Sequence, residues 1–235
     1  MNRLSVMALL ITPLAFAADN EIFVDQVGVT ANMDFEQLGS GNIIGGLTAA
    51  AGSMTALDLD GTSMTLDVNQ IGNTNKFLGD MYADSYTGFF NFDGDSNTFT
   101  SKMDPTNAFG ADNSNVNVAV TGGSNTFTLD LATSALASGT DLDWIVQGDS
   151  NQIHADIDVD AATHYVDLDG DQNQVTTDMD GFAGGYFYLD HTGNSRTFTI
   201  DQANTTDNDY LKILSNGNNG TVCVQQANSG TSIGC

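Results

Sequence analysis

Residues 144–153 read Trp-Ile-Val-Gln-Gly-Asp-Ser-Asn-Gln-Ile, a turn sequence set between two segments in which apolar and polar residues alternate. Trp144 stands four positions before Gly148, and Ile153 stands five positions after it. Alternation with period two on both sides of a Gly/Asp/Asn turn is typical of a strand-turn-strand unit, whereas a helix requires a period of 3.6. Glycine suits the turn because it adopts positive φ without a Cβ clash. The segment therefore predicts two short β-strands joined at Gly148.

The same Gly-x-x-Asn unit recurs along most of the chain. Its anchoring glycines, the last two in degenerate copies, are Gly72, Gly94, Gly122, Gly148, Gly170, Gly193 and Gly217. The intervals between them are 22, 28, 26, 22, 23 and 24 residues, and the positions four before and five after each glycine are apolar in every copy. Such self-similarity indicates stacked units that share one continuous core.

The predicted fold is therefore all-β: a β-solenoid of roughly 22-residue strand-turn-strand repeats. An open antiparallel β-sandwich remains the alternative, because it also consists of short alternating strands. The Asn three residues after each glycine has the same parity as the inward apolar residue, so it should be buried. Buried amides must be hydrogen-bonded, and we expect each Asn to bond the Asn of the next rung in a ladder.

The first 17 residues are predicted to be a secretory signal peptide, which leaves residues 18–235 as the repeat domain. Asn2 and Arg3 precede an apolar run, and Ala15-Phe16-Ala17 forms an A-x-A cleavage site. The run is too short to span a bilayer, so we expect no membrane insertion. The predicted location is extracellular or at the cell surface. In that compartment Cys223 and Cys235 are expected to form a disulfide, with two unpaired thiols as the alternative.

The charge of the chain limits its partners. Thirty Asp and Glu against five Lys and Arg give a formal net charge of −25. Such a surface repels nucleic acid and anionic lipid, so neither is expected as a partner.

Glutamines add a more specific pattern at both ends of the repeat region. Gln26-Val-Gly28 is followed nine residues after its glycine by Gln37, and Gln202 and Gln226 follow Gly193 and Gly217 by the same interval. This resembles the Gln-x-Gly-x-x-Asn…Gln repeat of curlins, the subunits of bacterial curli fibres. The ladder residues expected from spacing and resemblance are Gln26, Gln37, Asn42, Gln70, Asn75, Asn97, Asn125, Asn151, Asn173, Gln202 and Gln226.

The central copies depart from the curlin pattern. Apolar residues replace the upstream Gln at Phe92, Val120, Val146 and Leu168. The closing Gln is also replaced by apolar residues, namely Met103, Leu131, Ile157 and Met179. These copies exchange a polar ladder for a more apolar core.

The resemblance implies an exported structural subunit of a curli-like fibre, in biofilm formation or surface adhesion, whose partners are further copies of itself or related subunits. The alternative is a monomeric secreted solenoid that acts as an adhesin or surface-binding protein and is stabilised by calcium.

No enzymatic function and no cofactor are expected. The three histidines lack the spacing of a metal or catalytic motif. A column eight residues after the glycine contains Asp130, Asp156, Asp178 and Asp201. This row is either an acidic face screened by salt or a tentative site for Ca²⁺, which prefers oxygen ligands. Outward aromatic residues, Phe89, Tyr165 and Tyr188, indicate either cross-strand stabilisation or stacking on a sugar or a neighbouring filament.

Overall fold

The computed structural model describes residues 21–39, 42–47, 54–72, 74–103, 112–131, 137–157, 159–160, 163–179, 185–203 and 210–227. Within these ranges every regular element is a β-strand. The prediction of an all-β solenoid is confirmed, with repeats about 24 residues apart. No helix in these ranges is long and apolar enough to cross a membrane.

The strands, in chain order, are β1 Glu21–Ile22, β2 Asp25–Gly28, β3 Ala31–Leu38, β4 Ile43–Ile44, β5 Gly46–Leu47, β6 Met54–Thr55, β7 Leu57–Thr62, β8 Met64–Ile71, β9 Lys76–Asp84, β10 Thr87–Asp93, β11 Thr98–Met103, β12 Asn115–Thr121, β13 Thr126–Leu131, β14 Ala137–Ser138, β15 Asp141–Gln147, β16 Gln152–Ile157, β17 Val159–Asp160, β18 Thr163–Asp169, β19 Gln174–Met179, β20 Tyr186–Thr192, β21 Thr197–Ala203, β22 Tyr210–Asn216 and β23 Thr221–Ala227.

Two parallel sheets contain most of these strands. The first sheet has 11 strands: the path β1-β4-β9-β11-β13-β16-β19-β21-β23, with β7 pairing both β9 and β2. The second sheet has eight, in the order β22-β20-β18-β15-β12-β10-β8-β3. The antiparallel sandwich is wrong, because consecutive strands along the chain alternate between the sheets and each pairs in parallel with its counterpart one repeat away. Eight strands at about 4.8 Å spacing make the second sheet roughly 34 Å long.

The glycine column is explained by close approach between rungs as well as by backbone conformation. Gly148 has φ of +138°, and a Cβ added there would lie 2.1 Å from the carbonyl oxygen of Gly122. Two residues later Ser150 also has positive φ, at 61°. Because each turn stacks directly on the turn before it, a side chain at the glycine would force the rungs apart.

The core lies between the two sheets and consists of the alternating apolar residues that the sequence predicts. Trp144 and the phenylalanines of successive rungs are fully buried. The rings of Phe77 and Phe99 stack with centroids 5.2 Å apart. Each buried side chain of this size contributes about 1.5 to 3 kcal/mol of hydrophobic free energy. The solenoid is therefore held together mainly by side chains that meet across rungs.

Candidate functional site

The asparagine column lies inside the turn. The predicted Asn residues that the structure buries are Asn42, Asn75, Asn97, Asn125, Asn151 and Asn173. In Asn125, Nδ2 donates to the carbonyl of Gly122 at 2.9 Å, and Oδ1 accepts from the backbone N–H of Asn97 at 2.7 Å. The same acceptor bond repeats at 3.0 Å from Asn125 to Asn151 and at 2.8 Å from Asn151 to Asn173.

The ladder differs from the expected amide-to-amide form. The amide NH2 of each side chain donates to the glycine carbonyl of its own turn. The hydrogen bond between rungs therefore runs from a backbone N–H to a side-chain oxygen. The column of Asn residues ends at Arg196, and the next rung has Gly220 at this position. The Arg196 side chain packs against Gly220 so closely that a Cβ added there would lie 2.6 Å from Arg196 Cγ. From Asn97 to Asn173, each Asn therefore closes its own turn and also accepts a bond from the preceding rung. The Oδ1 of Asn75 has no hydrogen-bond partner in the described part of the chain.

In the second sheet, the predicted glutamines Gln37 and Gln70 lie in one column, at its N-terminal end. The Gln70 side chain donates to Gln37 Oε1 at 2.6 Å, and Gln37 donates to the carbonyl of Ile43 at 3.0 Å. The residues that continue this column are Phe92, Val120, Val146, Leu168, His191 and Ser215. The ladder is thus polar at the N-terminal end, apolar through the middle, and polar again where His191 Nδ1 meets Ser215 Oγ at 3.2 Å.

The first sheet has the same distribution. Gln26 shares a column with Gln202 and Gln226, and the residues between them are Leu59, Met81, Met103, Leu131, Ile157 and Met179. Gln202 is buried, and Gln26 is partly exposed at the N-terminal end. In both sheets glutamines therefore stand in the end rungs and apolar residues in the central ones.

The acidic row on the first sheet is in register. Asp130 pairs with Asp156, Asp156 with Asp178, and Asp178 with Asp201. Lys102 precedes the row, and Gln225 follows it, donating to Asp201 Oδ1 at 3.1 Å. In the described ranges no three or more His, Cys, Asp or Glu side chains converge as a metal site. The four tentative calcium ligands thus form a line along the sheet and not a coordinating cluster.

A second ladder, which the sequence analysis missed, lies one residue after the glycine. Asp149 Oδ1 accepts from the N–H of Asp171 at 2.6 Å, and Asp171 Oδ1 accepts from the N–H of Asn194 at 2.5 Å. Asp95 and Asn194 make the same bond to the rungs that follow them. The recurrence of Asp or Asn directly after the glycine is the available signal, but these residues are also common in ordinary turns. The two ladders point in opposite directions along the solenoid and fix the turn from both sides.

The three histidines lie on β16, β18 and β20 and differ in burial. His164 and His191 are buried, and His154 is exposed. His164 lies between the rings of Trp144 and Phe187, each 5.2 Å away, and burial lowers its pKa to about 3. The three side chains do not form a common site.

Cys223 is disulfide-bonded and lies in β23, the last strand of the first sheet. Its predicted partner, Cys235, lies outside the described residues.

Both ends of the first sheet are open in the described part of the chain. No described strand pairs with the outer edge of β23 or with the outer edge of β1 and β2. Apolar side chains are exposed there: Val222 is 43 % exposed and Val224 is 41 % exposed at one end, and Phe23 is exposed at the other. Uncovered strand edges with apolar side chains are templates for pairing with another chain.

Comparison of the chain with protein-family models, with curated proteins and with solved structures finds no match.

Proposed function

We propose that the protein is a structural subunit of a curli-like extracellular fibre, in which β23 of one copy pairs in parallel with residues 21–28 of the next. Main-chain hydrogen bonds would supply the adhesion, as in other β-augmentation interfaces.

The observation that carries the proposal is a match between the two end strands of the first sheet. Through the parallel register, residues 21–27 and residues 221–227 occupy the same columns. Aligned on those columns, Glu-Ile-Phe-Val-Asp-Gln-Val faces Thr-Val-Cys-Val-Gln-Gln-Ala. Ile22 meets Val222, Val24 meets Val224, and Gln26 meets Gln226. A junction would therefore repeat the column pattern found inside the solenoid.

The match extends to the column of the first sheet that contains the acidic row. Asp25 of the next copy would follow Gln225, whose side chain amide already donates to Asp201. At the junction, the carboxylates of Asp201 and of Asp25 in the next copy would lie two rungs apart. The neutral side chain of Gln225 would lie between them. Like charges directly opposite on neighbouring strands are destabilising, so the neutral residue favours the junction.

Assembly kinetics of residues 18–235 test this register. Gln225→Glu should slow fibre growth, measured by thioflavin fluorescence and electron microscopy, because it places a carboxylate beside Asp25. Asp25→Lys combined with Gln225→Glu should restore growth. Gln152→Glu changes the net charge equally in the middle of the first sheet and serves as the control. A chain that stays monomeric over weeks with seeds at high salt contradicts the proposal.

A second candidate is a monomeric secreted solenoid that binds a surface. It is favoured by the disulfide of Cys223, which lies in the strand that would have to pair. Failure of assembly under all these conditions would favour this candidate.

A further inference from the structure

The outer face of the second sheet carries aromatic and acidic side chains in one continuous column. From β8 to β22 its residues are Asp67, Phe89, Asn117, Asp143, Tyr165, Tyr188 and Lys212. Successive residues are one strand spacing apart, so Phe89 and Tyr165 are separated by three spacings, or about 14 Å. This column is unrelated to the strand edges on which the fibre proposal depends.

An open depression of about 160 Å³ lies along the column from Asp67 to Asp143. The depression forms because β12 has the small residue Ala119 there, between larger side chains on the neighbouring strands. Of these, Phe89 is 46 % exposed and Ile145 is 43 % exposed. Asp67 and Asp143 lie at its two ends. The depression thus combines an aromatic wall with carboxylates.

Asp143 is poorly satisfied by the described part of the chain. Its Oδ1 is shielded from solvent and has no hydrogen-bond partner there. Burial, and then the neighbouring carboxylate of Asp167, raise the pKa of Asp143. A cation at this end of the depression would offset the repulsion between the carboxylates of Asp143 and Asp167.

The C-terminal part of the column already holds a cation on an aromatic face. Tyr165 and Tyr188 stack with ring centroids 4.9 Å apart and planes 7° from parallel. The Lys212 ammonium lies 4.9 Å from the centroid of the Tyr188 ring, within the range of a cation–π interaction. Asp190 accepts a hydrogen bond from the Tyr188 hydroxyl at 3.2 Å. Stacked rings bordered by carboxylates form a surface that attracts ammonium groups.

Charge restricts what can cover this face. It is acidic in a chain of net charge −25, so a second copy laid face to face and any anionic polymer are repelled. A cationic ligand whose rings present apolar C–H faces matches both features. We propose that the column from Asp67 to Tyr188 binds a linear amino-sugar chain laid across the strands, with sugar rings on Phe89 and Tyr165 and ammonium groups beside the carboxylates.

Isothermal titration with a glucosamine hexamer tests the proposal. Two comparison ligands separate its parts: the N-acetylated hexamer keeps the rings without the charge, and hexalysine keeps the charge without the rings. We expect the glucosamine hexamer to bind about tenfold more tightly than either, because stacking and charge act together. Equal binding of hexalysine means diffuse charge attraction only, and equal binding of the acetylated hexamer removes the role of the ammonium; either result overturns the proposal.

Variants locate the site. Phe89→Ala and Tyr165→Ala should each weaken binding of the glucosamine hexamer about tenfold, whereas Tyr165→Phe, which keeps the ring, should bind nearly as well. Asp143→Asn should also weaken binding, and Asp130→Asn on the first sheet is the matched control for net charge. Melting curves identify any variant that fails to fold. Folded variants that all bind like the unchanged protein contradict the assignment.

Discussion

At the scale of single residues, Asn125 and its neighbours in the Asn column are held by specific partners, and their removal has calculable consequences. The Asn column makes one bond within its turn and one to the rung before it. His164 is different, since neither ring nitrogen has a hydrogen-bond partner in the described part of the chain. We therefore expect substitution of an Asn in the column to destabilise the fold, and substitution of His164 to protect the fold against acid.

Asn125→Leu should destabilise the protein. The change leaves the N–H of Asn97 and the carbonyl of Gly122 without the side-chain partners they now have, and each unsatisfied buried group costs about 1 to 3 kcal/mol. Asn91→Leu is the control, because Asn91 is exposed and surface substitutions usually stay within about 0.5 kcal/mol. Urea unfolding measures both, and an equal effect would mean that the ladder carries no special stability.

His164 should make the fold sensitive to acid. Its pKa is about 3 in the folded protein against about 6.5 in an unfolded chain, so the fold holds it neutral. Its contribution is complete above pH 6.5 and is lost as the pH falls towards 3, because the unfolded chain binds the proton first. His164→Leu should reduce the loss of unfolding free energy between pH 7 and pH 4.5 by about 2 to 3 kcal/mol. The exposed His154→Leu is the control; identical pH profiles for the two variants would contradict the argument.

At the scale of the strand-turn-strand element, register is set by two constraints that agree. The alternation of apolar residues fixes which face is buried, and the glycine fixes how closely successive turns approach. Gly39 separates these constraints, because it has φ of +124° but a Cβ added to it meets nothing within 4 Å. It lies in the first turn of its column and has no described turn before it.

Gly148→Ala should therefore be much more damaging than Gly39→Ala. Both place alanine at an unfavourable φ, which costs of order 1 to 3 kcal/mol. Only Gly148→Ala adds a Cβ that lies 2.1 Å from the carbonyl oxygen of the preceding turn, and that overlap requires the rungs to separate. Thermal melting compares the two variants. Equal losses would mean that conformation alone, and not stacking, requires the glycine.

At the scale of the whole molecule, the strands of each long sheet share one register, so any residue type repeated at one position becomes a row. The acidic row of the first sheet shows the consequence. Unit charges 4.8 Å apart repel by about 0.9 kcal/mol even in water. Salt screening would reduce this repulsion.

Asp156→Asn combined with Asp178→Asn should raise the melting temperature at low ionic strength. The gain should disappear near 1 M sodium chloride, where the Debye length is about 3 Å. Because the row does not form a coordinating cluster, calcium chloride and sodium chloride at matched ionic strength should act alike. A calcium effect that exceeds that of sodium and is absent in the double variant would instead establish bridging by Ca²⁺.

Much of this architecture could be predicted from the sequence, because period and parity are local properties. The inward Asn column and the row of carboxylates both follow from counting from the glycine. The direction of the Asn hydrogen bonds could not be predicted, since it depends on which turn carbonyl accepts from the side-chain amide NH2. The matching of residues 21–27 with residues 221–227 could not be predicted either. It depends on β1 pairing with β9 through β4, and on β2 pairing with β9 through β7, which only the strand pairing reveals.

Solid-state NMR of fibres grown from an equal mixture of ¹⁵N-labelled and ¹³C-labelled protein tests the central claim most directly. Contacts between differently labelled chains report only on the junction between copies. The account predicts intermolecular contacts between Val24 and Val224 and between Ile22 and Val222, with the 4.7 to 4.8 Å strand repeat continuing through the junction. Fibres in which these pairs are absent and other residues make the intermolecular contacts would contradict it.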